Sequence, residues 1–565
     1  MSRREAWLSA AAVFAVAIVV RVLAAAAVGF PVPEDTAYYA GVARNLADGR
    51  GLISDALWSY QTQPLVVPRA AFEIWMPLPS LLEAIPIYLA GAANWFRAAQ
   101  VVSVLSGSVI AVLAWRLGAD VAAEMALPVG RARTMGVGTG LIAAALGPLV
   151  IYSALPDSTA LFAAFSLAAC LLMTRIAARE SARSSAQGAA DQGAADQGAA
   201  DPARAFDRRL IGLGLLLGFA ALTRSEAIWL GLAWAALVWF WTPGSRRRRI
   251  AIIGVPAIVA VAVFVPWIVR DWLAFGTPMP GQTISNAFFI HYTDVFAYQD
   301  KPTLARFLAQ GPAKLAGLYA SGAASDLFAV LLIPAFPVGL VGLLGLPSVG
   351  RRPALRSLVL ASVFTFVATS VVFPVATQSG TYLHAAGSAF VLLVVSCVVL
   401  MDKFIVWVGR IRHWTNPVAW LGPAFAIAAI GPLCVISVAS IAHQANETQD
   451  RYQALPAAMA RAGVPLDGSA PVITDNPIWL AETIHVRTLA LPEESPQAVL
   501  DLAAQFGAKL LVVRDDTNRE WPDILRTSGT AAKCFKEVPL TDISGTGLAK
   551  DSALASIHVY RIGCP

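Results

Sequence analysis

The chain has 565 residues, 57% of them hydrophobic and only 14% charged. Soluble domains average about 45–50% apolar and about 25% charged. The composition therefore excludes an ordinary soluble enzyme, a disordered chain and a nucleic-acid binder. The formal charge is +6, and in so apolar a chain a small basic excess reads as membrane-orienting Arg, not as a DNA-binding patch.

The first apolar run, 6–28, follows Arg3 and Arg4. With its basic end inside, it delivers the chain to the external side near Phe30. Further runs lie near 98–117, 135–153, 158–174, 209–223, 227–242, 250–269, 326–346, 357–376, 385–401 and 418–441, which makes about eleven spans. The run 79–93 is short and carries Pro79, Glu83 and Pro86. Arg clusters around 131, 175–183, 208, 246–249, 351–356 and 403–412 all fall on the cytoplasmic side only if 79–93 lies along the bilayer inside one long external loop, 30–97. The repeat QGAAD, three times over 187–201, reads as a flexible part of a cytoplasmic low-complexity linker, 177–207.

The same parity places 445–565 outside. Strand-like runs Ala470–Thr474 and Lys509–Val513 alternate there with a helical stretch, Ser495–Phe506. The predicted fold is thus a polytopic α-helical membrane domain, 1–444, followed by a small extracytoplasmic α/β domain, 445–565. The five Cys show no CxxC or zinc-like spacing. Cys170, Cys397 and Cys434 fall within spans, whereas Cys534 and Cys564 lie in the external domain, where disulfides persist, and are expected to be bonded.

Chemistry-bearing residues collect at the external ends of the spans. Glu34 and Asp35 follow the first span, in the motif Pro33-Glu34-Asp35-Thr36-Ala37-Tyr38-Tyr39. Two adjacent carboxylates at a bilayer edge lose hydration and repel each other, so they suit a general base or a bound cation as well as a helix cap. Asp157 lies in the next external turn, Thr223-Arg224-Ser225-Glu226 in another, and Gly380-Thr381-Tyr382-Leu383-His384 in a third. Arg224 and Arg270 stand on the side without Arg clusters, and an external phosphate, which guanidinium groups grip bidentately, accounts for both. Arg21 lies inside the first span and must face the protein interior or snorkel. A transporter would instead place its polar groups at the bilayer midplane in paired broken helices, and no two-fold internal repeat is visible. A non-catalytic membrane scaffold with a partner-binding tail is the other alternative.

These motifs resemble the GT-C class of integral-membrane glycosyltransferases, nearest to the protein O-mannosyltransferase and lipid A aminoarabinose transferase group. The resemblance covers about residues 1–445. It rests on Glu34-Asp35 with Tyr38-Tyr39, Ala43-Arg44-Asn45-Leu46, Gly49 and Gly51, then Trp75-Met76-Pro77-Leu78-Pro79. It continues with Gly218–Glu226 and Pro266-Trp267-Ile268-Val269-Arg270-Asp271-Trp272 followed by Phe275-Gly276-Thr277-Pro278. It implies a polyprenyl-phosphate sugar donor, an extracytoplasmic acceptor and transfer with inversion. By motif position Asp35 is the base and Glu34 its neighbour. The family order is acidic Asp first, and the swapped order here keeps both carboxylates as candidates. Arg270 and Arg224 become donor-phosphate residues, although Asp271 stands where relatives often carry Asn. Asp157, Tyr38, Glu226 and His384 are further active-site candidates. Glu34, Asp35 and Asp157 are the residues that could hold a divalent metal ion, of a kind carboxylates alone do not select.

Overall fold

The computed structural model describes residues 2–193, 207–281, 284–416, 418–517, 519–527, 529–540 and 553–564. Helix α1 (Arg3–Ala27) is followed by α2 (Glu34–Ala47), the short strands β1 (Ile53–Ser54), β2 (Ala56–Leu57) and β3 (Arg69–Ala70), and α3 (Leu78–Ala90). The bundle continues with α4 (Trp95–Glu124), α5 (Val129–Ala145), α6 (Gly147–Ala154), α7 (Ser158–Gly193), α8 (Arg209–Thr223), α9 (Ala227–Trp241) and α10 (Arg246–Phe275). Beyond a loop come α11 (Leu304–Leu308), α12 (Pro312–Ala324), which runs on as a π-helix to Leu332, α13 (Val338–Val349), α14 (Arg356–Val372), α15 (Thr381–Ala385), α16 (Gly387–Ile411) and α17 (Leu421–Arg461). The tail holds β4 (Val472–Thr474), α18 (Pro477–Ile484), β5 (Thr488–Ala490), α19 (Pro496–Phe506), β6 (Leu510–Arg514), β7 (Phe535–Val538) and β8 (Ile557–Ile562).

Among the described residues eight helices are long and apolar enough to cross a membrane, or nine if the bent pair α5–α6 is one span. The expected eleven differ for physical reasons. Helices α8 and α9 have 15 residues each, about 22 Å at 1.5 Å per residue against a core of about 30 Å. The run 326–346 is not one helix: its first part completes the long helix Pro312–Leu332, and its second is the 12-residue α13. Helix α3, with 13 residues, is too short to span and packs on α2 and α4. The linker expected over 177–207 begins as helix, because α7 continues to Gly193; residues 194–206 lie outside the described ones.

Residues of the Arg clusters form ion pairs between helices. Arg131 pairs with Asp402 at 2.8 Å, and Glu180 receives both Arg183 at 2.9 Å and Arg248 at 2.7 Å. Arg21 is fully buried inside the bundle and repairs the break between α5 and α6, which bends by 56°. Pro148 has no N–H, so the Ala144 carbonyl four residues earlier loses its helical partner. Arg21 donates to that carbonyl at 3.2 Å, to the Ala143 carbonyl at 3.4 Å and to Ser153 Oγ at 3.2 Å.

The tail is not a separate body. Its sheet has the order β2-β5-β4-β6-β8-β7, so one strand comes from the loop after α2. β2, β5, β4 and β6 are parallel, and Ala56 and Leu57 lie opposite Thr488 and Leu489. The domain boundary expected at 445 falls inside the continuous 41-residue helix α17. Arg44 of α2 pairs with Glu482 of α18 at 2.6 Å, and a Cβ on Gly41 would collide with the Glu482 carboxylate. From the loop after α10, the amides of Tyr298, Gln299 and Asp300 converge on the Glu494 carboxylate at 2.8–3.1 Å. Cys534 and Cys564 are disulfide-bonded, and Cys170, Cys397 and Cys434 are buried free thiols.

Arg21→Leu leaves buried carbonyls without donors at the α5–α6 break. It is expected to destabilise the detergent-solubilised protein by about 1–3 kcal/mol, the usual cost of an unsatisfied buried group, read as a lowered thermal midpoint. An unchanged midpoint would contradict the repair.

Candidate active site

Helix α2 starts after Pro33, which offers no side-chain cap, and its first turn carries Glu34 and Asp35. Negative charge is favoured there by the helix dipole. The two neighbours then part. Glu34 Oε1 accepts the amide hydrogens of Ile478 at 3.1 Å and Trp479 at 3.3 Å, so it caps the N-terminus of α18. Burial, with Asp475 and Asp35 nearby, raises its pKa to about 8 against the pull of those amides.

Asp35 faces a different group of side chains. Its Oδ2 lies 3.5 Å from His384 Nε2, and its side chain is 28% exposed. Burial raises its pKa, and Arg224 and Trp75 oppose that rise.

Asp157 precedes α7, and its Oδ1 accepts the Thr159 amide hydrogen at 2.7 Å, a helix cap. Its Oδ2 is buried with no hydrogen-bond partner among the described residues, and so are both carboxyl oxygens of the fully buried Glu83 on α3. Burial, partly offset by Thr159, raises Asp157 to about 7. Glu83 is pushed well above its ordinary value by burial and by Asp157.

His384 closes the cluster. Gly380 has φ +131°, and a Cβ there would lie 3.3 Å from His384 Nε2, so glycine gives the ring its place. The ring meets Tyr152 edge-on with centroids 5.5 Å apart, and Nδ1 lies 2.6 Å from Thr159 Oγ1. Burial and Arg224 hold its pKa down to about 3, so the imidazole is neutral.

Arg224, at the α8–α9 turn, donates to Ser158 Oγ at 2.9 Å and pairs with Glu226 at 2.6 Å. Its charge also bears on Asp35 and Tyr39. Arg270, near the end of α10, pairs with Asp271 at 2.9 Å and stacks over Trp267 at 4.6 Å and Phe275 at 5.4 Å. Tyr38 packs on Trp75 and accepts the Phe72 amide hydrogen at 2.7 Å, and Arg270 acts on it electrostatically.

The structure thus brings Asp35, Asp157, Arg224, Glu226 and His384 together. It turns Glu34 to the tail and Tyr38 into an aromatic stack, and Arg270 makes its contacts with Asp271 and aromatic rings. Among the described residues no group of three or more His, Cys, Asp or Glu is placed to hold a metal ion, which matches Glu34 being turned away from Asp35 and Asp157. Sequence reasoning missed Glu83, Thr159 and Tyr292. A lone carboxylate in an otherwise apolar helix was the available signal for Glu83. Tyr292, beside Glu34 and Asp35, carried none.

No protein-family model and no curated protein matches the chain. Solved structures do. ArnT from Cupriavidus metallidurans bound to undecaprenyl phosphate is similar with a TM-score of 0.53 and 12% identity, over 98% of each chain. The oligosaccharyltransferase AglB from Archaeoglobus fulgidus, in complex with an inhibitory peptide and a dolichol-phosphate, is similar with a TM-score of 0.51 and 12% identity, over 94% of this chain and 72% of that one. An Archaeoglobus fulgidus oligosaccharyltransferase tethered with an acceptor peptide gives a TM-score of 0.51 at 13% identity, over 94% of this chain and 72% of that one. The chain shares the fold of these proteins.

The raised carboxyl pKa values fix the sign of a pH effect. The folded protein keeps protons that the unfolded chain has already released, so stability falls as pH rises from the ordinary glutamate value of 4.5 toward the raised value of Glu83 in the fold. Glu83→Gln removes one such group. Its thermal midpoint is expected to fall less than that of the unaltered protein between about pH 5 and about pH 9. Equal falls would contradict the burial of an ionisable, unpartnered Glu83.

Proposed function

We propose that the chain is a membrane glycosyltransferase that moves a sugar from a polyprenyl-phosphate carrier to an extracytoplasmic acceptor, with inversion at the anomeric carbon. The observation that carries this reading is Asp35: a partly exposed carboxylate with a guanidinium, Arg224, beside it and buried acids behind it. Two neighbours of the same fold are described with a lipid phosphate bound, undecaprenyl phosphate in one and dolichol-phosphate in the other.

The chemistry suits those groups. Glycosyl transfer passes through an oxocarbenium-like state. The leaving group is a lipid phosphate, whose growing charge a guanidinium stabilises without a proton donor. The acceptor hydroxyl is a poor nucleophile, and one carboxylate on the opposite face serves as its general base. Asp35 takes that role. Arg224 and Arg270 hold the donor phosphate, Arg270 from the aromatic shelf of Trp267 and Phe275, where the lipid tail leaves for the bilayer. Glu34 holds α2 against the tail. In the proposed orientation the Arg-rich helix ends face the cytoplasm, and the site and the tail lie across the inner membrane from them.

The test uses purified protein in lipid nanodiscs with a panel of undecaprenyl-phosphate sugars and an envelope extract as acceptor. Asp35→Asn is expected to lower kcat by about 10²–10⁴ with little change in KM. Arg270→Ala is expected to raise KM for the donor as well as lower turnover, because the phosphate is charged in both ground and transition states. Near-normal turnover in Asp35→Asn would contradict the assignment, and release of no sugar from any donor would contradict the enzyme reading.

A further inference from the structure

A groove of about 460 Å³ runs between α1 and α4. Ile18, Val22 and Ala26 of α1 and Val101 and Leu105 of α4 line it, with Arg97 at one end. Both helices are long and apolar enough to cross a membrane, and Val22, Val101 and Leu105 are about half exposed. Apolar side chains left open on spanning helices meet lipid tails, so the groove opens to the bilayer. Its depth is that of one leaflet. Leu105 lies eight residues beyond Arg97 on α4, about 12 Å at 1.5 Å per residue, against about 15 Å for half of the hydrocarbon core.

Arg97 stands in the first turn of α4, against the last turn of α1, which places it at the bilayer edge. Its Nη1 donates to the carbonyls of Ala25 and, at 2.9 Å, Val28, and reaches Gln100 Oε1 at 3.2 Å. Its Nη2 donates to the Ala26 carbonyl at 3.1 Å. No carboxylate pairs with it among the described residues. A guanidinium has five N–H donors in a fixed fork. The carbonyls take both hydrogens of Nη1 and one of Nη2, which leaves Nε–H and the second Nη2–H. Those two lie side by side and match two oxygens of one phosphate.

We propose that this groove is a binding site for one phospholipid of the surrounding leaflet, with its phosphate on the Nε/Nη2 edge of Arg97 and one acyl chain along the groove. The charges are complementary: a cation without an acidic partner heads an apolar channel, and a phospholipid joins an anionic phosphate to an apolar chain. The occupant is a lipid of the bilayer itself and not the sugar carrier, whose phosphate is assigned to Arg224 and Arg270 and whose polyprenyl chain is longer than the groove. The site does not depend on the transfer reaction. Its place in the fold is nonetheless close to the reacting end, because the carbonyls that Arg97 holds end α1, and the chain runs from there into Glu34 and Asp35.

Two substitutions separate the groove from its head. Ala26→Phe fills the groove from an exposed position and leaves Arg97 in place. Arg97→Gln removes the charge, while Gln100 still donates to the Ala25 and Val28 carbonyls at 3.1 and 3.2 Å and keeps the end of α1 capped. The measurement is native mass spectrometry of the full chain, delipidated in detergent and titrated with dioleoylphosphatidylglycerol. Ala26→Phe is expected to retain one lipid fewer than the unaltered protein. Arg97→Gln is expected to weaken that one site about tenfold or more, the scale of a lost charge-assisted hydrogen bond. Dioleoylglycerol, which has the chains without the phosphate, is expected to leave the site empty. Equal retention by all three proteins would overturn the site, and equal binding of dioleoylglycerol would overturn the role of Arg97. Displacement of the lipid from this site by an equal concentration of undecaprenyl phosphate would overturn its assignment to a bilayer phospholipid.

Discussion

The Glu34 carboxylate accepts two amide hydrogens from the start of α18, and the packing of the tail on α2 depends on that contact. It ties the first turn of α2 to a tail more than 400 residues away in sequence. Beside it, Arg44 and Glu482 pair at 2.6 Å, and β2 adds to the edge of the tail's sheet. Asp35 is the next residue along the same turn. Its direction is thus set by a sheet built from both ends of the chain.

The second determinant is the scarcity of water. Glu83, Asp157 and Asp35 lie in surroundings that disfavour ionisation, with Arg224 the cation acting on both aspartates. A carboxyl whose charge is disfavoured binds a proton more readily, which is what a base for a weakly acidic hydroxyl requires. The same balance makes the cluster costly to the fold, and the surrounding frame must hold it. Arg21 shows that logic deeper in the bundle, where a buried charge is tolerated because it answers carbonyls freed by Pro148.

Much of this was legible in the sequence. Apolar run lengths gave the bundle, the Pro-broken, charged run 79–93 was set apart from the spans and is a short helix, and strand periodicity found β4 and β6. The splitting of 326–346 was passed over although Pro334 and Pro337 stand at the break, where each removes a helical N–H. The pairing of β2 with β5 was not legible, since a two-residue strand has no pattern. At the site, Asp35, Asp157, Arg224 and His384 stood out as polar groups at span ends. The divergence of Glu34 from Asp35 did not, because it depends on where α18 lands. Thr159 and Glu83 look ordinary in sequence and gain meaning only from their neighbours in space.

The central claim is that Asp35 and the donor phosphate face each other across the reacting carbon. The most direct measurement is an electron cryomicroscopy structure of the protein in nanodiscs with undecaprenyl phosphate. The account predicts the lipid phosphate within hydrogen-bond distance of Arg224 or Arg270, its tail running along Trp267 and Phe275, and open space for a sugar between it and Asp35. A phosphate bound away from both arginines, or with no room for a sugar before Asp35, would contradict it.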